Sequence, residues 1–266
     1  MPIEILSRFS FTARQPADVL LQFAAAQIPE QRVLDSRTHL SQAHHVANIP
    51  AQDDIGERVW LHLSGRFEVS YSATVEVNRL LADIPTLAKL EPHELPAEAV
   101  QYLFDSRYCP AERFQPFVEG EFGNLSGGSR IWAMHDWIAE HLSYSPGSSN
   151  PKTTALDTFV ERRGICRDYT HLLVTLARAS AIPARYCSVY APGVEPPDFH
   201  AVAEVFLADP TTPGGGAWHI VDATGMADPA SAVKIGVGRD AADVSFMTAF
   251  GEVDFDDKMV AVSKVP

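Results

Sequence analysis

The chain has 266 residues, 46% of them hydrophobic, and carries a formal net charge of −13 with a pI near 5.1. This length and composition are those of a globular protein with one large core or two ordinary ones, and they disfavour intrinsic disorder. The acidic balance offers no basic face for nucleic acid or an anionic membrane, so we expect neither partner.

The first part of the chain predicts antiparallel strands. From residue 3 to about residue 77, apolar and polar residues alternate with many β-branched and aromatic side chains, as in Ile3–Phe11 and Arg58–Tyr71. A proline-punctuated connection with a short helix around Pro96–Phe104 follows. We therefore predict a β-rich, sandwich-like domain with its connecting segment over residues 1–105 and a second domain over residues 106–266.

Helices and then strands are predicted in the second domain. Apolar residues at helical spacing indicate an amphipathic helix over Ser129–Leu142, and Thr154 and Asp157 form a capping box for a helix that runs to Gly164. A third helix opens at Ile165 and Cys166 and ends before Pro183. Short apolar runs then predict a set of strands over Tyr186–Tyr190, Ala201–Leu207 and Trp218–Val221, with Met259–Val262 expected to close the set.

Cys166 has the context of a nucleophile. A helical pattern is broken by Gly164 and restarts at once with Cys166 in its first turn. The positive end of a helix dipole and its free N–H groups favour a thiolate over a thiol. Cys109 precedes Pro110, which disfavours a helical conformation there, and Cys187 lies within an apolar run that indicates a structural role.

A base and an orienting carboxylate follow along the chain. His200 begins one predicted strand and Asp222 ends the next, so the order is Cys166, His200, Asp222. Imidazole titrates near neutral pH and can accept a thiol proton, and a carboxylate can hold its ring. Glu204 and Asp168 are alternative orienting carboxylates, although Asp168 also suits the start of the helix.

The remaining histidines are weaker candidates. His171 lies five positions after Cys166 on the same helix and is interpreted as a packing residue, and His219 lies on the strand that precedes Asp222. The chain contains neither a Cys-x-x-Cys nor a His-Glu-x-x-His pattern, so the sequence supports no zinc site.

Apolar segments and cysteine content bear on the cell compartment. No run of 18 apolar residues occurs, and the N-terminal residues Met1–Arg8 lack the apolar region of a signal peptide. We therefore expect neither a membrane span nor a signal peptide, and a cytoplasmic protein. Three widely spaced cysteines indicate reduced thiols rather than a disulfide framework.

Together, these motifs resemble the transglutaminase-like superfamily, in particular bacterial two-domain proteins described as cysteine proteases. The resemblance rests on the runs around Cys166, Ile182–Tyr186, His200–Val205 and Trp218–Thr224, with further likeness over Ser106–Cys109 and Gly236–Val244. It implies an α+β, papain-like domain, in which the helix bearing the cysteine packs on an antiparallel sheet, preceded by the β-rich domain. It also implies that Cys166 is the nucleophile, His200 the general base and Asp222 the orienting residue, with no metal or organic cofactor.

The resemblance leaves the reaction open among three possibilities. Hydrolysis of an amide or peptide substrate is the expected activity. Acyl transfer to an amine is the alternative enzymatic activity. The alternative that is not an enzyme is a catalytically silent interaction module with the same fold. The family usually has Trp where this chain has Val202, and Pro where it has Ala223. We expect the first change to reshape the acyl pocket and leave the thioester open to water, and the second to loosen the placement of Asp222. The substrate and the oligomeric state do not follow from the sequence.

Overall fold

The computed structural model describes residues 1–212 and 214–265. It contains strands and α-helices in an order that confirms the predicted α+β class. In chain order they are β1 (Ile3–Leu21), β2 (Gln31–Leu40), β3 (His45–Pro50), β4 (Glu57–Val77), α1 (Ala97–Val100), α2 (Gln115–Phe122), α3 (Gly127–His141), β5 (Ser143–Tyr144), α4 (Ala155–Glu161), β6 (Arg163–Gly164), α5 (Cys166–Ala179), β7 (Ala184–Tyr190), β8 (His200–Ala208), β9 (Gly216–Val221), β10 (Val233–Gly238), β11 (Met247–Phe250) and β12 (Val253–Lys264).

The first sheet has six antiparallel strands built around β1 and β4, as the alternating pattern predicts. These two strands are unusually long, and each changes its outer partner along its length. The first half of β1 pairs with β12 and its last residues pair with β11, while β4 pairs first with β3 and then with β2. The apolar residues of β1 and β4 alternate to one buried face, which forms the core of this sheet.

One predicted strand is assigned to the wrong sheet by the sequence pattern. The run Met259–Val262 belongs to β12, which pairs with β1 rather than closing the second sheet. Pairing between distant chain segments leaves no local signal, because a short apolar run is equally suited to either sheet. The predicted boundary after residue 105 remains a prediction, but the last two strands complete the sheet that the N-terminal strands begin.

The second sheet is antiparallel, with the strand order β10, β7, β8, β9. Strands β7, β8 and β9 confirm the predicted strands, whereas β10 was not predicted. Helix α5 packs on this sheet and is buried along most of its length. The apolar cluster between them includes Leu172, Leu176, Ala203 and Val205, so the helix that begins at Cys166 is fixed firmly to the strand that begins at His200.

The two sheets contact each other through apolar side chains and a hydrogen bond. Tyr190, Val233 and Ile235 of the second sheet are buried within the core of the first sheet. The hydroxyl of Tyr190 donates a 2.7 Å hydrogen bond to the backbone carbonyl of Phe23. Among the described helices, none combines the length and the hydropathy needed to cross a membrane.

Candidate active site

Cys166 is the first residue of α5, as the sequence predicts. The backbone before it must approach the helix closely, since a Cβ on Gly164 would lie 2.7 Å from Cβ of Asp168. Asp168 in turn accepts a 2.9 Å hydrogen bond from the backbone N–H of Ile165. Glycine at position 164 and a carboxylate at position 168 therefore set the angle at which the helix begins and the thiol is presented.

A loop is tied to this helix start. The guanidinium of Arg167 donates a 2.6 Å hydrogen bond to Oγ of Ser149, whose hydroxyl donates a 2.8 Å bond to Asp168. Tyr108 donates from its hydroxyl to the carbonyl of Pro151 at 2.8 Å. The segment that precedes α4 is therefore held beside Cys166.

His200 and Asp222 lie together as predicted. His200 is the first residue of β8, and Asp222 immediately follows β9, which pairs with β8. Nε2 of His200 donates to Oδ2 of Asp222 at 2.9 Å, and both side chains are buried. Nδ1 is buried and has no hydrogen-bond partner within the part of the chain that the structure describes. It is therefore the nitrogen left available to the thiol of Cys166.

A tight turn holds Asp222 in place. Its Oδ2 also accepts a 2.7 Å bond from the N–H of Ala227, and its Oδ1 accepts bonds from the N–H and hydroxyl of Thr224 at 2.9 and 2.8 Å. With these contacts, the carboxylate has a fixed orientation. The expectation that Ala223 loosens Asp222 stays a prediction, and these three hydrogen bonds are the contacts that hold the carboxylate here.

The three side chains are coupled electrostatically. Burial alone lowers the pKa of His200, but the hydrogen bond to Asp222 and the negative charges of Cys166 and Asp222 outweigh it and raise that pKa to about 9. Burial alone raises the pKa of Asp222, but the hydrogen bond and the positive charge of His200 outweigh it and hold that pKa below its usual value. The raised pKa favours the imidazolium form of His200 beside the carboxylate of Asp222.

The other two cysteines have a different environment. Cys109 and Cys187 are fully buried, whereas Cys166 is partly exposed. Burial raises the pKa of Cys109 to about 12 and raises that of Cys187 further. Neither thiol is suited to act as a nucleophile.

The alternative carboxylates have other partners. Asp168 is committed to the start of α5, and Glu204 is fully buried in an ion-pair cluster with Arg185 and Lys234. Those two cations overcome burial and lower the pKa of Glu204 to about 2. Within the described part of the chain, neither carboxylate forms a hydrogen bond with His200.

The alternative histidines are packing residues. His171 stacks on Tyr108 with ring centroids 5.0 Å apart, and its Nε2 accepts a 3.1 Å bond from the N–H of Ala241. Burial lowers the pKa of His171 well below its usual value and also lowers that of His219. The interpretation of His171 as a packing residue agrees with these contacts.

Val202 does not line an acyl pocket. It is fully buried in an apolar cluster with Cys187, Ile220 and Val237. The expectation that valine in place of tryptophan reshapes the pocket around Cys166 is therefore wrong for this chain. The side chain contributes to the core behind the sheet.

Two motifs outside the three central residues have structural roles. Arg178 of α5 is buried and donates to the carbonyl of Arg239 at 2.6 Å and to Ser106 at 3.0 Å. Asp240 accepts a 2.9 Å bond from the N–H of Tyr108. Hydrogen bonds therefore connect two segments of the chain beside α5, namely Ser106–Cys109 and Gly236–Val244.

Tyr144 is a neighbour of the helix start that sequence reasoning missed. It lies in the two-residue strand β5, which pairs in parallel with β6 and places Tyr144 opposite Gly164, two residues before Cys166. Its place at the start of a Pro/Gly-containing loop carries no signal for this pairing. Within residues 1–212 and 214–265, no group of three His, Cys, Asp or Glu side chains is arranged to hold a metal ion.

Comparison with known proteins gives the family and the fold of the chain. Residues 118–223 match the model of the transglutaminase-like superfamily, a range that contains Cys166, His200 and Asp222. A crystal structure of a candidate cysteine protease from Cytophaga hutchinsonii is 32% identical and superposes with a TM-score of 0.91, covering 99% of this chain and 90% of that one. The chain belongs to the transglutaminase-like superfamily, and its α+β fold is that of a transglutaminase-like cysteine protease.

A curated relative extends the comparison. An uncharacterised protein of Mycobacterium leprae is 26% identical over 193 residues, which is 66% of this chain. The match spans 65% of that relative, slightly less than two thirds of its length.

Proposed function

We propose that this protein is a thiol-dependent amidase or peptidase that acts through Cys166, His200 and Asp222. The observation that supports it most is the position of His200, with Nε2 bonded to Asp222 and Nδ1 left to Cys166. The raised pKa of His200 adds to it, since an imidazolium can both stabilise a thiolate and donate a proton.

The proposed reaction has two halves. The sulfur of Cys166 attacks the amide carbonyl, the electrons of the C=O bond move to its oxygen, and the backbone N–H of Cys166 donates a hydrogen bond to that oxygen. When the carbonyl re-forms, the C–N bond breaks and the leaving amine takes a proton from His200. Water then attacks the thioester with His200 as base, which releases the acid and restores the thiolate and imidazolium.

Hydrolysis is favoured over amine transfer in this proposal. Transfer requires the thioester to be shielded from water, whereas hydrolysis needs only an open cleft. The partial exposure of Cys166 supports an intermediate that water can reach. The three free thiols fit a reducing compartment, so we place the reaction in the cytoplasm. The net charge of −13 disfavours nucleic acid and anionic membranes as partners, so the proposed substrate is a peptide or amide.

The test separates the three candidate activities. The enzyme is offered a panel of N-blocked peptides with a fluorescent C-terminal amide, with and without a millimolar lysine analogue, and the acid and amide products are separated. We expect free acid as the main product and none with the Cys166→Ala variant. A lysine amide as the main product would make the protein a transferase, and no acylation of Cys166 by any member of the panel would favour a silent interaction module.

A further inference from the structure

Strand β9 is an edge of the second sheet. Within residues 1–212 and 214–265, it pairs only with β8. The N–H of Phe206 in β8 donates a 2.8 Å hydrogen bond to the carbonyl of Pro183, which lies on the side of β7. Successive residues of an antiparallel strand direct their backbone groups to opposite neighbours, so Val205 is the residue that bonds to its β9 partner, His219. The next residue, Ile220, therefore directs its N–H and C=O away from β8.

These outward backbone groups are unpaired. In the part of the chain that the structure describes, neither the N–H nor the carbonyl of Ile220 forms a hydrogen bond. The same alternation directs the backbone groups of Trp218 outward. An unpaired edge is a template on which an extended chain can add as another strand, and proteins often block such edges with lysine or proline. Strand β9 contains neither residue.

Two cavities lie one after the other along this edge. The first, of about 890 Å³, is lined by the residues of β9 from Gly216 to Trp218. The second, of about 580 Å³, is lined by the rest of the strand, from His219 to Val221. A chain that added to β9 would therefore meet one cavity at the start of the strand and the other at its end.

The first cavity is acidic. Its lining includes Asp54, Glu94 and Glu98, which form no ion pair within the described residues. Two further carboxylates in the lining, Glu30 and Asp53, have arginine partners. The three carboxylates without an ion pair complement a lysine or arginine side chain of a bound chain.

The second cavity combines an apolar wall with unpaired polar atoms. The exposed side chains of Leu80, Leu81 and Trp132 line it. Two buried side chains in the lining also have nitrogens without a hydrogen-bond partner in the described chain, namely Nη2 of Arg79 and Nε2 of His219. Buried polar atoms normally have partners, so this cavity suits a ligand that supplies both an apolar side chain and main-chain polar groups.

We propose that the edge of β9 binds an extended peptide segment of a partner protein as a fifth strand of the second sheet. The backbone groups of Trp218 and Ile220 bond to the main chain of that segment. An apolar side chain of the segment enters the second cavity, and a lysine or arginine about four residues away enters the first. The proposal goes beyond the proposed function, because it requires no reaction at Cys166.

The probe is an end-blocked, fluorescein-labelled peptide, Thr-Leu-Thr-Val-Thr-Lys-Thr, together with the same peptide in reversed order. The two orders allow for a parallel or an antiparallel added strand. Binding to the full chain is followed by fluorescence polarisation. The order that binds more tightly is then made with N-methyl groups on its even residues or on its odd residues. A strand directs only alternate N–H groups to one neighbour, so one derivative should lose about tenfold or more in affinity and the other less than about threefold.

Variants of the chain test the edge and the charge separately. Ile220→Pro removes the outward N–H without removing a bond to β8, and Ile220→Val keeps that N–H as the matched control. We expect at least about tenfold weaker binding for the first and less than about threefold for the second. Glu98→Lys should weaken binding of the lysine peptide about fivefold. Its control, Glu119→Lys, changes the net charge equally at an exposed residue that lines neither cavity, and should bind as the wild type does.

Amide hydrogen exchange of the wild type, resolved by residue with NMR, gives an answer that does not depend on a variant that folds. Saturating peptide should slow exchange of the Ile220 N–H by about tenfold or more, because that group becomes hydrogen-bonded. The N–H groups of His219 and Val221, which bond to β8, should change little.

Equal affinities of the two N-methylated derivatives would overturn the proposal, as would unchanged exchange at Ile220 with bound peptide. Absence of binding by either peptide order up to about 1 mM would also overturn it. Protection of the Ile220 N–H that rises with protein concentration, without peptide, would make a second copy of the chain the occupant instead. None of these outcomes bears on hydrolysis at Cys166.

Discussion

Two cysteine and histidine neighbourhoods lie along helix α5 and differ in almost every property. At the start of the helix, Cys166 is partly exposed and His200 is bonded to the carboxylate of Asp222. Beside its middle, Cys109 is fully buried, and its Sγ lies 3.6 Å from the carbonyl of His171. The residue types are the same, so composition alone does not distinguish the two places.

The difference comes from the partner of each imidazole. Nε2 of His171 accepts a bond from a backbone N–H, which requires the nitrogen to be unprotonated, and burial together with Arg167 and Arg178 lowers its pKa. Nε2 of His200 donates to a carboxylate, and its pKa rises to about 9. A buried carboxylate beside the ring thus separates an imidazole that can exchange protons near neutral pH from one that only packs.

The largest expected effect is on the histidines. Replacing His200 with alanine removes both the counter-charge of the thiolate and the acid for the leaving group, so kcat/KM should fall by about 10⁴-fold or more. The variant His171→Gln keeps a side-chain acceptor for Ala241 and should lose less than about tenfold per folded molecule. Steady-state hydrolysis, normalised to folded protein by circular dichroism, measures both. An active His200→Ala enzyme would contradict the proposed roles.

Removing the carboxylate should cost less than removing the imidazole. In Asp222→Ala, the ring loses its main partner, but Oγ1 of Thr224 remains 3.4 Å from Nε2 and still limits its rotation. We expect a loss of about 10²- to 10⁴-fold in kcat with an unchanged fold. Should Asp222→Ala keep the wild-type rate while Glu204→Ala or Asp168→Ala is inactive, the orienting role would pass to another carboxylate.

The thiols give the third test. Iodoacetamide near pH 6 should alkylate Cys166 at least about 10²-fold faster than Cys109 or Cys187, because the other two are buried and only rarely thiolates. Peptide mapping after brief treatment of the folded protein measures the three rates. Faster reaction of Cys109 or Cys187 would reverse the comparison on which the nucleophile is chosen.

Much of this contrast was accessible from the sequence. The break at Gly164 before a helical pattern singled out Cys166, and the strand ends at His200 and Asp222 placed the other two groups near it. These are local signals, since each depends on residues within one element or its boundary. The structure brings all three residues to the same part of the molecule, and their catalytic roles remain proposals.

What the sequence missed depends on pairing between distant segments. Strand β12 completes the first sheet, about 250 residues from its partner β1, and a parallel pair of two-residue strands places Tyr144 opposite Gly164. The family's usual tryptophan at position 202 suggests a place near the acyl pocket, but the strand buries Val202 among Cys187 and Val237. No periodic pattern records which face of a fully buried strand meets a cleft.

The smallest expected effect is on stability, and it isolates His200 from the other groups. Its folded pKa of about 9 lies above the unfolded value near 6.5, so its contribution is complete below pH 6.5 and is lost as the pH rises through about 9. Between about pH 7 and 8.5 this amounts to a loss of about 2 kcal/mol in the free energy of unfolding. Urea denaturation of the wild type and of His200→Gln at both pH values measures this loss, because subtracting the two proteins removes the effect of groups that titrate in both.

The His171→Gln variant should show the same change in unfolding free energy with pH as the wild type, since a histidine whose pKa is depressed is neutral in the folded protein throughout this range. An equal change with pH in the wild type and His200→Gln would mean that His200 and Asp222 form no ion pair in the folded protein. The contrast drawn between the pKa values of His200 and His171 would then be wrong.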